Sequence, residues 1–222
     1  MANPAVALSK NAYAYEELRR RILTGDIPQG SVLNQVQLAH EIGVSTTPLR
    51  EALRRLAAEG LVQLESHRDA RVASLTADEA RDLYVIRENL DPLAAGLAAE
   101  SRTPADVDRI QAALEQLTPL HDTADLGAMT VHREFHRTIY TASHNPLLTG
   151  ILEGLWDKAD RYRQIGLQSR TDSEKDRIRV QEEHVEIADA VIAGDAARAR
   201  EAMHRHVAGS LGRRAISVLS TS

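Results

Sequence analysis

Val44-Ser45-Thr46-Thr47-Pro48-Leu49-Arg50-Glu51-Ala52-Leu53-Arg54-Arg55-Leu56-Ala57-Ala58-Glu59-Gly60-Leu61-Val62 is the stretch that decides the fold of this 222-residue chain. Small hydroxyl residues and a proline lead into a helix with arginines near its start, and Gly60 closes it before an apolar exit. The spacing predicts a helix over residues 47–59. Pro48 is tolerated there because the first turn of a helix has no partner for its N–H. Free backbone N–H groups, hydroxyls and guanidinium donors at one helix end suit the approach of a polyanion. A DNA-recognition helix is the expectation.

The flanks give this helix a setting. Upstream, Tyr15, Leu18 and Ile22 recur at helical spacing over 13–24, with Arg19, Arg20 and Arg21 on other faces. The breaker-rich turn Gly25-Asp26-Ile27-Pro28-Gln29-Gly30 follows. Asn34 is placed to cap a short helix over 35–41 that ends at Gly43. Downstream, 61–64 and 71–75 read as two strands around Glu65-Ser66-His67-Arg68-Asp69-Ala70. Three helices and a hairpin make a winged helix-turn-helix over 1–75, whose wing carries His67 and Arg68 toward the DNA backbone or minor groove. Beyond Thr76 the periodicity is helical throughout, over 78–101, 104–117, 126–143, 146–166, 173–193 and 196–219. The fold class expected is therefore mostly α, a winged helix-turn-helix followed by an all-α six-helix bundle over 76–222.

Composition bounds the chemistry. Hydrophobic residues make up 43% and aromatic ones 3%, so the core must be mostly Leu, Ile, Val and Ala, which favours packed helices. With no cysteine, disulfides, thiolate metal sites and cysteine nucleophiles are excluded. No signal pattern or membrane-length apolar run is present, so a soluble, cytoplasmic protein without a membrane partner is expected. The net charge of −5 hides an asymmetry. Residues 1–75 hold nine Lys or Arg against eight Asp or Glu, whereas the remainder holds 18 against 24, giving a near-neutral head on an acidic body.

Seven of the nine histidines lie in the second domain. His132 and His136 are four apart, on a helix face that also carries Phe135, Ile139 and Tyr140. His184 shares a face with Val180, Ile187 and Val191. His206 aligns with Ala199, Ala202 and Met203, while His204 falls on the opposite side. Three helices thus offer inward imidazoles, the arrangement from which metal sites are built in bundles. A single inward histidine can equally be a hydrogen-bonded core residue, so this alternative stays open on the spacing alone.

The run Ile27-Pro28-Gln29-Gly30-Ser31-Val32-Leu33, with Leu38-Ala39-His40-Glu41-Ile42-Gly43-Val44-Ser45, Thr47-Pro48-Leu49-Arg50-Glu51-Ala52-Leu53 and Glu59-Gly60-Leu61-Val62, resembles the GntR family of bacterial transcription regulators. The helical part resembles the FCD ligand-binding domain of the FadR-type branch, through Arg87-x-x-x-Asp91, Phe135-His136, Asn145-Pro146, Glu183-His184 and Met203-x-x-His206. The resemblance implies a homodimer on a palindromic, double-stranded DNA operator, with one recognition helix per half-site. Arg50 would read a guanine through its bidentate fork. Ser45, Thr46 and Thr47 would touch phosphates or base edges, with Gln35 and Arg54 supporting them on the backbone. Thr46 stands where the family often has arginine, and Asp69 where the wing tip usually has glycine. Both departures shift base reading toward Arg50.

In the FCD domain the resemblance implies a metal site of one aspartate and three histidines. His136, His184 and His206 match the histidines, and His132 stands in the aspartate's place. An all-imidazole set keeps the full charge of a divalent ion and favours Zn²⁺ or Ni²⁺ over Mg²⁺ or Ca²⁺. Such a centre would organise a pocket for a small carboxylate effector. Arg87 and Arg163 are the candidates to pair with it, each otherwise a structural ion-pair partner, and Asn145 is either a pocket residue or a helix cap. The function expected is a metabolite-responsive regulator acting as a repressor, not an enzyme. The competing reading is a metal-dependent hydrolase with a vestigial DNA-binding head. His132-Arg133-Glu134-Phe135-His136 lacks the His-Glu-x-x-His order in which glutamate follows the first histidine as general base. No nucleophile or glycine-rich phosphate loop accompanies it.

Overall fold

The computed structural model describes residues 9–64, 69–117, 126–169 and 173–220. The chain divides into two compact units, residues 1–74 and 75–222.

In the first unit α1 (Lys10–Thr24) packs on α3 (Thr46–Ala58), with α2 (Gln35–Glu41) beside them. Ala14, Tyr15, Leu18 and Ile22 of α1 meet the buried face of α3 formed by Leu49, Ala52, Leu53 and Leu56. The apolar residues fall at helical spacing on both elements, so each buries one stripe. Gly25 closes α1 at φ 79°, a left-handed conformation that costs glycine nothing. Asn34 caps α2 by accepting from Val36 N and Gln37 N at 3.1 and 3.0 Å. The wing differs from the expected hairpin. β2 (Val62–Leu64) and β3 (Asp69–Val72) pair antiparallel, and β1 (Val32–Asn34) adds on the far side of β3, giving the order β1-β3-β2. Three residues are too few to show alternation in sequence, and β1 exists only because β3 pairs with it across some forty residues.

The second unit is all helical. It comprises α4 (Ala77–Ser101), α5 (Pro104–Gln116), α6 (Leu126–Ala142), α7 (Pro146–Ser169), α8 (Glu174–Ala193), α9 (Ala196–Ala208) and α10 (Leu211–Ser220). α4 is the hub and touches α6, α7, α8, α9 and α10. Its buried Ala94, Ala95, Ala98 and Ala99 let neighbouring helices approach closely. Capping boxes open α5 (Thr103, Asp106) and α8 (Ser173, Asp176). No described helix is long and apolar enough to cross a membrane.

The described residues hold seven helices here rather than the six expected, because the segment 196–219 is two helices. Gly209 and Ser210 break it, and α10 turns to lie along α7. The turn depends on close approach at two glycines. A Cβ on Gly166 would strike the carbonyl oxygen of Leu211, and one on Gly212 would strike the Tyr84 hydroxyl. Backbone cannot yield as a side chain does, so Gly166→Ala is expected to destabilise by about 1–3 kcal/mol. Thermal unfolding beside the neighbouring Gly154→Ala, whose added Cβ meets nothing within 4 Å, is the check.

Candidate functional site

The outer face of α3 carries the nucleic-acid candidates. Ser45 is its N-cap residue, in extended conformation, but its hydroxyl makes no capping hydrogen bond. The helix begins at Thr46, one residue earlier than the sequence suggested, with Thr46 half-buried and Thr47 exposed. Arg50 and Arg54, one turn apart, are both exposed. Arg50 Nε donates to Gln35 Oε1 at 3.1 Å, so the first residue of α2 orients the guanidinium plane. That contact gives Gln35 a positioning role that spacing alone did not reveal. Arg55, by contrast, is structural: it lies 3.5 Å over the Tyr15 ring and pairs with Glu59 at 3.2 Å. His67 and Arg68 lie outside the described residues.

In the second unit four imidazoles converge from α6, α8 and α9. His132, His136, His184 and His206 are all buried, and one ring nitrogen from each lies within 4.8 Å of the others. Their ring centroids are 4.5 to 6.2 Å apart. His132 Nε2 and His184 Nε2 are separated by 3.3 Å. Two nitrogens each bound about 2.0–2.1 Å from one tetrahedral ion would subtend an edge of about that length.

The hydrogen bonds around the cluster sort the rings. His206 Nδ1 lies 3.0 Å from Glu183 Oε2, and His184 hydrogen-bonds the Val180 backbone. Such outer partners fix the tautomer and leave the opposite nitrogen to ligate. His132 Nδ1 and both nitrogens of His136 have no partner among the described residues. A buried polar atom left unsatisfied costs about 1–3 kcal/mol, and an ion drawing one lone pair from each ring would satisfy one nitrogen of His136.

Burial pushes His132, His136 and His184 well below the ordinary histidine value, with the neighbouring imidazoles and Arg163 adding to the effect. His206 is also lowered by burial, although Glu183 opposes the shift. Neutral imidazole is the ligating form.

The sequence-derived arginines are separated by this geometry. Arg163 of α7 is buried, pairs with Asp160 at 2.7 Å, and lines a cavity with His132, His184 and His206. The cavity opens to solvent at its mouth. Arg87 of α4 pairs with Asp91 at 2.6 Å, and Tyr140 donates to the same carboxylate at 3.1 Å. Its Nη1 has no partner among the described residues. Trp156, which the sequence reading passed over, joins these groups. Arg87 and Arg163 lie 4.7 and 5.3 Å over its ring, and His136 and His132 contact it at 5.3 and 5.8 Å.

Asn145 is not brought to the cavity. It accepts from Leu148 N at 3.1 Å as the cap of α7 and is exposed, so the structure gives it the helix-cap alternative. Glu134 is likewise exposed, away from the cluster. Glu183 was missed as a supporting residue; its place beside His184 on α8 was the available signal.

With this geometry in view, residues 10–72 match the family of bacterial regulatory proteins, gntR family, and residues 82–209 match the FCD domain. The HTH-type transcriptional regulator LutR of Bacillus subtilis (strain 168) is 32% identical over 206 residues, covering 84% of this chain and 92% of that protein. The HTH-type transcriptional repressor GlaR of Escherichia coli (strain K12) is 29% identical over 202 residues, covering 87% and 90%. Two other curated relatives are matched over only 65% and 64% of their length. The solved structure of E. coli McbR/YncC aligns with TM-score 0.74 at 24% identity, over 96% of this chain and 98% of that one, which shows the shared fold. The family and these relatives are transcription regulators rather than enzymes. On both matched segments, the chain belongs to the gntR family of bacterial regulators, with an FCD domain as its second unit.

Proposed function

We propose that this regulator is a cytoplasmic repressor that binds a palindromic operator as a homodimer and answers to a small carboxylate. The observation that carries the reading is the buried four-imidazole cluster with its unsatisfied nitrogens, opening on a cavity that holds Arg163. His132, His136, His184 and His206 would hold a divalent transition metal, Zn²⁺ or Ni²⁺ given the all-nitrogen donor set. Such an ion supplies a Lewis-acid site for a carboxylate oxygen. Arg163 supplies a buried guanidinium beside the rings, packed over the face of Trp156. Arg87 packs over Trp156 and pairs with Asp91; its Nη1, which has no partner among the described residues, is the second candidate for the effector.

In the head, Arg50, held by Gln35, would read a guanine edge. Ser45, Thr46, Thr47 and Arg54 would contact phosphates, and His67 and Arg68 are assigned to the wing by sequence alone. Two features support dimerisation and repression. Val85, Ile86 and Leu93 form an exposed apolar row on α4 suited to a second copy. The relative GlaR is named a repressor.

Selection from a random duplex library tests this assembly. An inverted repeat with a guanine at the same place in each half is expected, and addition of the right carboxylate should change affinity for it. For that response the effector must bind the free and DNA-bound forms with different free energies. Recovery of a single unrepeated half-site would contradict the dimer.

A further inference from the structure

We infer that the Tyr162 hydroxyl is the positioning group through which occupancy of the imidazole site reaches Thr76, at the start of the helical unit. The inference rests on the reading that the four rings hold a metal, and it adds how a bound ion acts beyond its own ligands.

Tyr162 of α7 is completely buried. Its hydroxyl accepts from Thr76 N at 3.3 Å and has Thr76 O at 3.1 Å and Glu79 Oε2 at 2.8 Å as acceptors for its proton. Thr76 is the second residue of this unit and the N-cap of α4, where its own hydroxyl accepts from Glu79 N at 3.1 Å. One phenol therefore meets both backbone polar groups of the residue that opens α4. Burial and the hydrogen bond to Glu79 push its pKa up, so the proton stays on to be donated. Lys158, one turn earlier on α7, also reaches Glu79, at 2.6 Å. That pair is 31% and 36% exposed, and ion pairs so open to water contribute little.

The next residue along α7 points about 100° further around the helix. Arg163 lines the cavity with His132, His184 and His206, and it packs 5.3 Å over Trp156, against which His132 and His136 also rest. Beyond burial, its charge helps to hold all four imidazoles below their ordinary value. Arg163 is 4% exposed, so a positive ion among the rings would act on it with little screening. Its backbone is confined as well, since a Cβ on Gly212 of α10 would lie 3.3 Å from Arg163 N. A side chain so enclosed passes force to its helix, because close-packed interiors transmit strain. The bond from Thr76 N to the phenol is already long, so a small shift of α7 makes or breaks it.

Hydrogen–deuterium exchange on the full-length chain, metal-free and with zinc, tests this. Zinc is expected to change exchange over 76–81, where the amides of Glu79 and Ala80 bond Thr76. The change should be about threefold or more, the range of one hydrogen bond made or lost. In Tyr162→Phe it should vanish, while zinc stoichiometry and the zinc-dependent change around His184 stay as in the parent. Lys158→Met, which removes only the ion pair with Glu79, should keep the response. A response unchanged in Tyr162→Phe, absent in the parent, or lost equally in Lys158→Met would overturn the role of the phenol and leave the metal reading standing. No zinc uptake by the parent would overturn both.

Discussion

Arg50→Ala is expected to abolish specific operator binding while leaving the fold intact. A bidentate arginine–guanine contact discriminates by about 1–3 kcal/mol, and a dimer loses two of them, so specific affinity should fall by about thirtyfold to 10⁴-fold. Arg50 is exposed, and its one side-chain partner among the described residues is the half-buried Gln35, so the unfolding temperature should barely move. Gln35→Ala should reproduce part of the loss, because the guanidinium then loses its orienting acceptor. Arg54→Ala should behave differently, weakening binding to all sequences alike and flattening the salt dependence. Mobility shifts on specific and scrambled duplexes at two salt concentrations separate these outcomes. An Arg50→Ala protein with unaltered specific affinity would remove α3 as the reading element.

His136→Leu gives the second large effect, and its sign separates a metal ligand from an ordinary core histidine. Neither nitrogen of His136 has a partner among the described residues, and the side chain is completely buried. In the metal-free protein a leucine of similar volume removes two unsatisfied polar atoms, so stability should rise by about 1–3 kcal/mol. With Zn²⁺ the order reverses. The parent gains about 2.7 kcal/mol at metal concentrations a hundred times the dissociation constant, and the variant should gain almost nothing. Loss of an outer-shell partner alone costs about 10–100-fold in metal affinity, so loss of a ligand should cost more. Glu183→Gln, which weakens the support of His206 without touching the ring, is expected within that smaller range. Unfolding curves with a chelator and with added zinc read all three proteins. A destabilised metal-free His136→Leu protein would point to a histidine that the core needs for itself.

Much of this was legible because it is local. The Thr47-Pro48-Leu49-Arg50 start, the Asn34 cap and the i, i+4 spacing of His132 and His136 are set by neighbours within a turn or two. What escaped the sequence is what distant chain segments make together. β1 exists only through β3, and the Gln35–Arg50 contact joins two helices across a turn. Trp156 reads as an ordinary core aromatic until two arginines and two histidines are seen against its ring. The break at Gly209-Ser210 was visible as a breaker pair, yet the helical periodicity on both sides masked it. That break matters for the site, since it places Ser210, Leu211 and Arg214 around the cavity. For Asn145, spacing left cap and pocket open, and only the hydrogen bond to Leu148 N decided between them.

His132, His136, His184 and His206 are proposed to hold a metal through which the protein senses its effector. Elemental analysis of the protein purified without a histidine tag tests it most directly. About one equivalent of zinc or nickel per chain is expected, removable by chelator and restored on titration; less than about a tenth of an equivalent, with no uptake when metal is added, would contradict a metal centre.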